Sequence, residues 1–183
     1  MIVLNQRDEQ IIQTLKTLKI MTTSQIQRLF FTTQPGCCRR LKQLVNHKII
    51  KVHKEPFQEN IYYHKKLIRQ QRKSCLLLSE FYVLCVINGV DIVEFQREYN
   101  IPNAKIRADG YMKIKVNDIE YKFLIEVNLT HFDGWKYEKE LPKMKFHPII
   151  SISPCKRKYS ELLETYHIKQ DFSNLKDLLP LLT

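Results

Sequence analysis

Asp109 and Glu126 are the residues whose type and spacing point most directly to chemistry. They lie in two segments that alternate as strands, Ile106–Val116 and Ile119–Val127, separated only by Asn117-Asp118, a pair suited to a tight hairpin turn. With Val116 opposite Ile119, Asp109 falls opposite Glu126, and directly opposed side chains stand about 4.5–5.5 Å apart at Cβ. Two carboxylates that close repel unless a cation, a proton or hydrogen bonds compensate them. A divalent cation between them would acidify a bound water. The same register sets Lys113 beside Lys122, Lys115 beside Glu120 and Arg107 beside Asn128. Glu126 also interrupts the run Phe123-Leu124-Ile125-Glu126-Val127, where an ionised group needs a partner.

A second set of residues suits binding rather than catalysis. Residues 1–74 carry 15 Lys/Arg against 4 Asp/Glu, a balance of +11, whereas residues 75–183 carry 15 of each and balance to zero. Folding does not require so steep a gradient, and it is best read as a basic module for a polyanion joined to a neutral one. Projected at 100° per residue, Pro35–Asn46 places Arg39, Gln43 and Asn46 on one stripe, flanked by Arg40 and Lys42, and Cys37, Cys38, Leu41, Leu44 and Val45 on the other. Arg pairs with guanine, and Gln and Asn with adenine, in a major groove.

The elements that must position this face are three helices and a hairpin. Ile11, Ile12, Leu15 and Leu18 recur at helical spacing behind Asp8 as N-cap, and this helix should end near Lys19. Thr22 to Gln25 fits a capping box for a second helix with Ile26, Leu29 and Phe30 on its apolar face. Thr32 or Thr33 caps the third, with Pro35 in its first turn. Ile49–Lys54 and Asn60–His64 then alternate as strands of a hairpin carrying Lys51, His53, Lys54 and Lys65. This order resembles a winged helix-turn-helix, which implies a recognition helix in the major groove and a wing on phosphates. A solvated charged face, or a winged helix used for protein contacts, is the competing explanation. RNA is disfavoured because neither an RNP-like nor a GXXG pattern occurs.

The expected domains are a winged helix over 1–66, a basic connector over 67–74 and an α/β domain over 75–183. In the last, Cys75–Asn88 reads as an apolar helix with Gly89 beyond its end, Asp91–Arg97 as a strand, then the acidic hairpin. Asp133–Lys145 reads as a helix interrupted by Pro142, His147–Ser153 as a strand, Lys156–Tyr166 as a helix, Ile168–Phe172 as a strand and Asn174–Leu182 as a helix. That order predicts a mixed α/β fold with a mixed sheet. Trp135, Phe132 and Tyr137 read as core or interface. The five cysteines lack paired C-x-x-C spacing and the six histidines are scattered, so neither a disulfide framework nor a structural metal is suggested. No segment resembles a signal peptide or a membrane span, and the expected location is cytoplasmic.

Arg107-Ala108-Asp109-Gly110 followed by Glu126-Val127-Asn128 resembles the strand motif of PD-(D/E)XK nucleases, a restriction-endonuclease-like fold in which the carboxylates hold Mg²⁺ and a lysine assists water. Here Asn128 stands in the lysine position, and the resemblance implies that Lys113 or Lys122 would have to substitute, with Glu80 on the preceding helix as a further acid. With the basic module in front, the chain resembles the replication-relaxation family of plasmid and mobile-element proteins. The matching segments are Arg7–Leu18, Arg40–Ile50, Ala108-Asp109-Gly110-Tyr111 and Phe123-Leu124-Ile125-Glu126-Val127-Asn128-Leu129-Thr130. The resemblance implies a sequence-specific duplex-DNA-binding protein acting in plasmid, phage or mobile-element replication, DNA relaxation or mobilisation. Its altered nuclease-like domain would serve as a dimerisation or partner surface for a homodimer or a replication or relaxase protein. The alternatives are a Mg²⁺-dependent endonuclease using Asp109 and Glu126, and a transcriptional regulator with an effector-binding second domain. Without the lysine the balance leans away from an enzyme, and Mg²⁺ is called for only by the endonuclease reading.

Overall fold

Asn5 starts the first helix, because its side chain accepts from the Asp8 amide (3.0 Å) while the Asp8 carboxylate reaches back to the Asn5 amide (2.9 Å). The cap is therefore three residues earlier than the sequence suggests, and Asp8 sits inside the first turn of α1 (Gln6–Leu18). In the computed structural model, which describes residues 2–66, 71–130, 137, 140, 147–156, 159 and 163–183, the chain divides into two compact units, Met1–Ile87 and Asn88–Thr183.

In the first unit, β1 (Ile20–Thr22) leads into α2 (Thr23–Phe30), whose Thr22/Gln25 capping box forms as expected. α3 (Gln34–Asn46) follows, with Thr33 at its N-cap and Pro35 in its first turn. The hairpin strands β2 (Lys51–His53) and β3 (Ile61–Tyr63) pair antiparallel, and β1 adds to the far side of β3, giving the order β1-β3-β2. Ile11, Leu15, Leu18, Ile26, Cys37, Leu41 and Leu44 are fully buried or nearly so, which confirms the apolar stripes of the three helices. Cys38 is an exception: it is exposed rather than on the buried stripe.

α4 (Arg72–Ile87) belongs to this first unit, one helix beyond the boundary that the charge step suggests. Its buried face explains the difference. Ser79 is fully buried and its hydroxyl donates to the Ile20 carbonyl (2.8 Å), while Gln25 Nε2 donates to the Leu76 carbonyl (3.2 Å). Cys75 packs with Ile20 and Ile61. Composition sees an apolar, neutral segment, and the tertiary contacts recruit it to close the helical core.

The second unit is built on a five-stranded mixed sheet, so the chain is mixed α/β as the sequence predicts. β4 (Ile92–Asn100), β5 (Arg107–Val116) and β6 (Ile119–Val127) form an antiparallel meander, and β7 (Ile149–Ile152) and β8 (Thr165–Ile168) continue it in parallel, in the order β4-β5-β6-β7-β8. Asn117 and Asp118 both take positive φ, +48° and +64°, the backbone of a type I′ hairpin turn.

Three expectations are corrected toward the C-terminus. β8 replaces the end of the helix expected over Lys156–Tyr166, because Thr165, Tyr166 and Ile168 are β-formers that pair with β7. It also precedes the strand expected at Ile168–Phe172, where Phe172 instead sits at φ +59° beyond the strand. The helix expected over Asn174–Leu182 splits into a 3₁₀ turn, Leu175–Asp177, and a short helix, Leu179–Leu182. Pro180 has no amide to continue the ladder. Of the helix expected at Asp133–Lys145, residues 137 and 140 are helical; the rest, with Phe132, Trp135 and Pro142, and connector residues 67–70 lie outside the described residues.

Arg40 locks α3 to α1. Its Nε donates to Asp8 Oδ1 (2.9 Å) and its Nη2 to Asp8 Oδ2 and to the Val3 carbonyl (3.0 Å). Burial pushes the Asp8 carboxyl up, but hydrogen bonds from Arg40 and the Asn5 backbone, with the charges of Arg40 and Arg7, outweigh it and hold the group below the usual carboxylate range. A depressed pKa contributes stability that is complete above the unfolded value and is lost as pH falls through the folded one. Asp8→Asn is expected to cost about 2 kcal/mol at neutral pH in denaturant unfolding, shrinking toward zero as the pH is taken below about 4.

Candidate functional site

Each unit presents one candidate site, and they differ in kind. On the first unit, α3 turns Arg39, Lys42, Gln43 and Asn46 outward, all exposed, with His47 and Lys48 beyond the helix end. The buried stripe of Cys37, Leu41 and Leu44 dictates this orientation. Burial also raises the Cys37 thiol to about 12, aided by the adjacent Cys38 and by Glu59, so it is an inert core group. Arg40 departs from the expectation: it is spent on Asp8 and Val3, with Nη1 on Gln43 Oε1 (2.9 Å), so it orients Gln43 instead of reaching outward.

The hairpin residues are divided in the same way. Lys54 and Lys65 are exposed, and exposed Lys51 donates its ammonium to the Lys65 carbonyl (3.1 Å). His53 does not face outward as a contact; its Nε2 lies 2.8 Å from Glu55 Oε1, and Arg72 bonds the same oxygen. Those partners, His53 and then Arg72, lower the Glu55 pKa. Glu59 accepts from the Ser24 amide at the start of α2. Glu80 binds Arg28 (2.5 Å) and Gln25 (3.0 Å). Glu80, expected as a metal ligand beside the acidic hairpin, is thus an ion-pair partner inside the first unit.

The second unit gathers its polar groups at one end of the β5–β6 hairpin. The ladder keeps the expected register from Val116↔Ile119 to Gly110↔Ile125. One rung further the two carboxylates are compensated separately. Asp109 Oδ2 accepts the Val127 amide (2.8 Å), and Glu126, only 3% exposed, accepts the Tyr137 hydroxyl. Hydrogen bonds thus contribute to the compensation that neighbouring acids need. Tyr137 and Tyr159 meet edge to face with centroids 5.2 Å apart. Asn128 Nδ2 donates to the Tyr159 hydroxyl, which is also 3.3 Å from Ser151 Oγ. Ser151 lies beside Glu126 in the parallel β6–β7 register. Burial first, then the Glu126 charge, pushes both tyrosines far above the ordinary phenol value, and Asp109 adds to both shifts. Both phenols therefore stay protonated at neutral pH and do not act as bases.

Lys113 and Lys122 do face each other, but four residues along β5 from Asp109, roughly 13 Å away. Lys113 is occupied by Glu120 (3.3 Å). Neither stands where a nuclease lysine must. Among the described residues no group of three or more His, Cys, Asp or Glu is placed to hold a metal ion. Sequence reasoning missed Tyr159, Ser151 and Ser153, although polar serines inside Ile149–Ser153 carry the signal that flagged Glu126. Tyr137 was noticed only as an aromatic. No protein-family model matches this chain, and no curated protein matches it.

The polar cluster is expected to act as core structure. Glu126→Ala removes an acceptor of the buried Tyr137 hydroxyl and should cost about 2 kcal/mol, whereas Glu126→Gln, which keeps an acceptor oxygen, should cost less. Urea unfolding of the two variants against the wild type checks the ranking.

Proposed function

We propose that the chain is a sequence-specific duplex-DNA-binding protein. In this reading the first unit is a winged helix-turn-helix with α3 as recognition helix, and β2 and β3 form the wing. The observation that carries the reading is how charge is allotted. Of the unit's five acids, Asp8, Glu55, Glu59 and Glu80 are each held by an internal partner and Glu9 is exposed, while Arg39, Lys42, Lys48, Lys54 and Lys65 remain exposed around a helix that also presents Gln43 and Asn46. A surface so arranged attracts a polyanion and offers side chains that pair with base edges.

The second unit, in the same proposal, is an altered restriction-endonuclease-like domain. Its meander followed by two parallel strands, with Asp109 and Glu126 at one end of a hairpin, supports that kinship. The uses made of Glu126, Asn128 and Lys113 favour a structural role over catalysis. It also offers a surface for a second copy or a replication or relaxase partner: β4 is a nine-residue edge strand, and Val93, Ile119 and Tyr121 are exposed. A role in replication, relaxation or mobilisation of a plasmid or other mobile element rests on the sequence resemblance, and a cytoplasmic location on the sequence patterns alone. No helix among the described residues is long and apolar enough to cross a membrane.

Binding of the full chain to duplex DNA is expected to weaken steeply with salt, with log K falling by about 0.9 for each phosphate neutralised per decade of salt. Lys42→Ala and Lys54→Ala should each flatten that slope by about 1. Arg40→Ala should instead lower the unfolding midpoint. Salt-insensitive binding, or none, contradicts the proposal. Incubation with supercoiled DNA in Mg²⁺ or Mn²⁺ is expected to leave it intact; nicking that disappears in both Asp109→Ala and Glu126→Ala would establish the endonuclease alternative.

A further inference from the structure

The tip of the β2–β3 hairpin carries an aromatic ring with no packing role. Phe57 is 110% exposed relative to a reference chain, the most exposed of the large hydrophobics among the described residues. The Gln58 amide donates to the Glu55 carbonyl (3.3 Å) across Pro56 and Phe57, and Phe57 has φ +58°. Proline at the second position and positive φ at the third are the pattern of a type II turn, whose third position ordinarily holds glycine or asparagine. A bulky residue there is strained, and an exposed ring gains nothing from burial to offset the strain. The folded state alone gives no reason for phenylalanine at this position.

The surroundings of the tip say what the ring meets. Both carboxylates of the hairpin loop have partners within the unit, Glu55 in Arg72 and His53, and Glu59, itself exposed, in the Ser24 amide. Lys54, three residues before Phe57, is also exposed, on a unit with a strong excess of positive charge. An apolar wedge on a strongly cationic unit complements a phosphate-lined groove with stacked bases at its floor.

Resting on the duplex-DNA reading above, we propose that Phe57 is a wedge that enters the minor groove and partly unstacks one base step, bending the DNA toward the major groove. Pyrimidine–purine steps, which unstack most readily, are the preferred place of entry. The wing then contributes shape-dependent specificity beside the base contacts of α3.

The test uses the full-length chain and a 30-bp AT-rich duplex with a central TA step, labelled at its ends with a donor–acceptor pair and carrying 2-aminopurine in place of the central adenine. The wild type is expected to increase end-to-end energy transfer and 2-aminopurine fluorescence on binding. Phe57→Ala should bind about tenfold more weakly and lose both signals at saturation, and Phe57→Trp should restore them. Phe57→Gly suits the positive φ, so it should lose both signals with a thermal midpoint no lower than the wild type, separating the ring's role from folding. Wild-type binding without either signal, or unchanged signals in Phe57→Ala and Phe57→Gly, would overturn the wedge while leaving duplex binding intact; a ring that docks on a protein gives this result. Failure of the wild type to bind any duplex would overturn both proposals.

Discussion

The bidentate contact between Arg40 and Asp8 is the constraint on which the first unit depends. Asp8 is fully buried in the turn that starts α1, and Arg40 reaches it from the middle of α3. A buried carboxylate is tolerable only with hydrogen-bonding partners. Here the guanidinium and the Asn5 amide supply them, and the requirement fixes the first helix against the third. The rotation of α3 follows, and with it the side chains that face outward. One cation of the apparent binding face is given up to orient the others.

The second unit solves a related problem without a cation among its described partners. Asp109 and Glu126 lie one rung beyond the last paired residues of the hairpin, where a backbone amide and a phenol are among their donors. The Tyr137 ring meets that of Tyr159 edge to face, and the Tyr159 hydroxyl in turn bonds Asn128 and Ser151. A network in which each member has a partner specifies one packing arrangement, whereas two carboxylates awaiting a metal would leave the strand ends poorly determined. Asn128 is consistent with this: an amide can donate to a tyrosine oxygen and remain neutral among buried groups.

What the sequence makes legible are local rules with local solutions. The Thr22–Gln25 capping box, Pro35 in the first turn of α3, the Asn117-Asp118 turn and the hairpin register down to Gly110↔Ile125 all need only neighbouring residues. What it hides depends on distant partners. Asp8 looks like an N-cap until Arg40 is seen 32 residues away, and Glu80 looks like a site acid until Arg28 is seen across the helical core. The placement of α4 fails for the same reason, since an apolar helix does not record which core it joins. His53 and Glu55 read as a basic strand and an acidic loop, and only the fold shows that they hydrogen-bond to each other.

The exposed face of α3 as a reader of base sequence is the central claim, and selection from a random duplex pool tests it most directly. The full-length protein should enrich a defined motif, and Gln43→Ala should lose information at one or two positions of that motif while leaving the others unchanged. No enrichment, or the same motif recovered in full by both Arg39→Ala and Gln43→Ala, would contradict it.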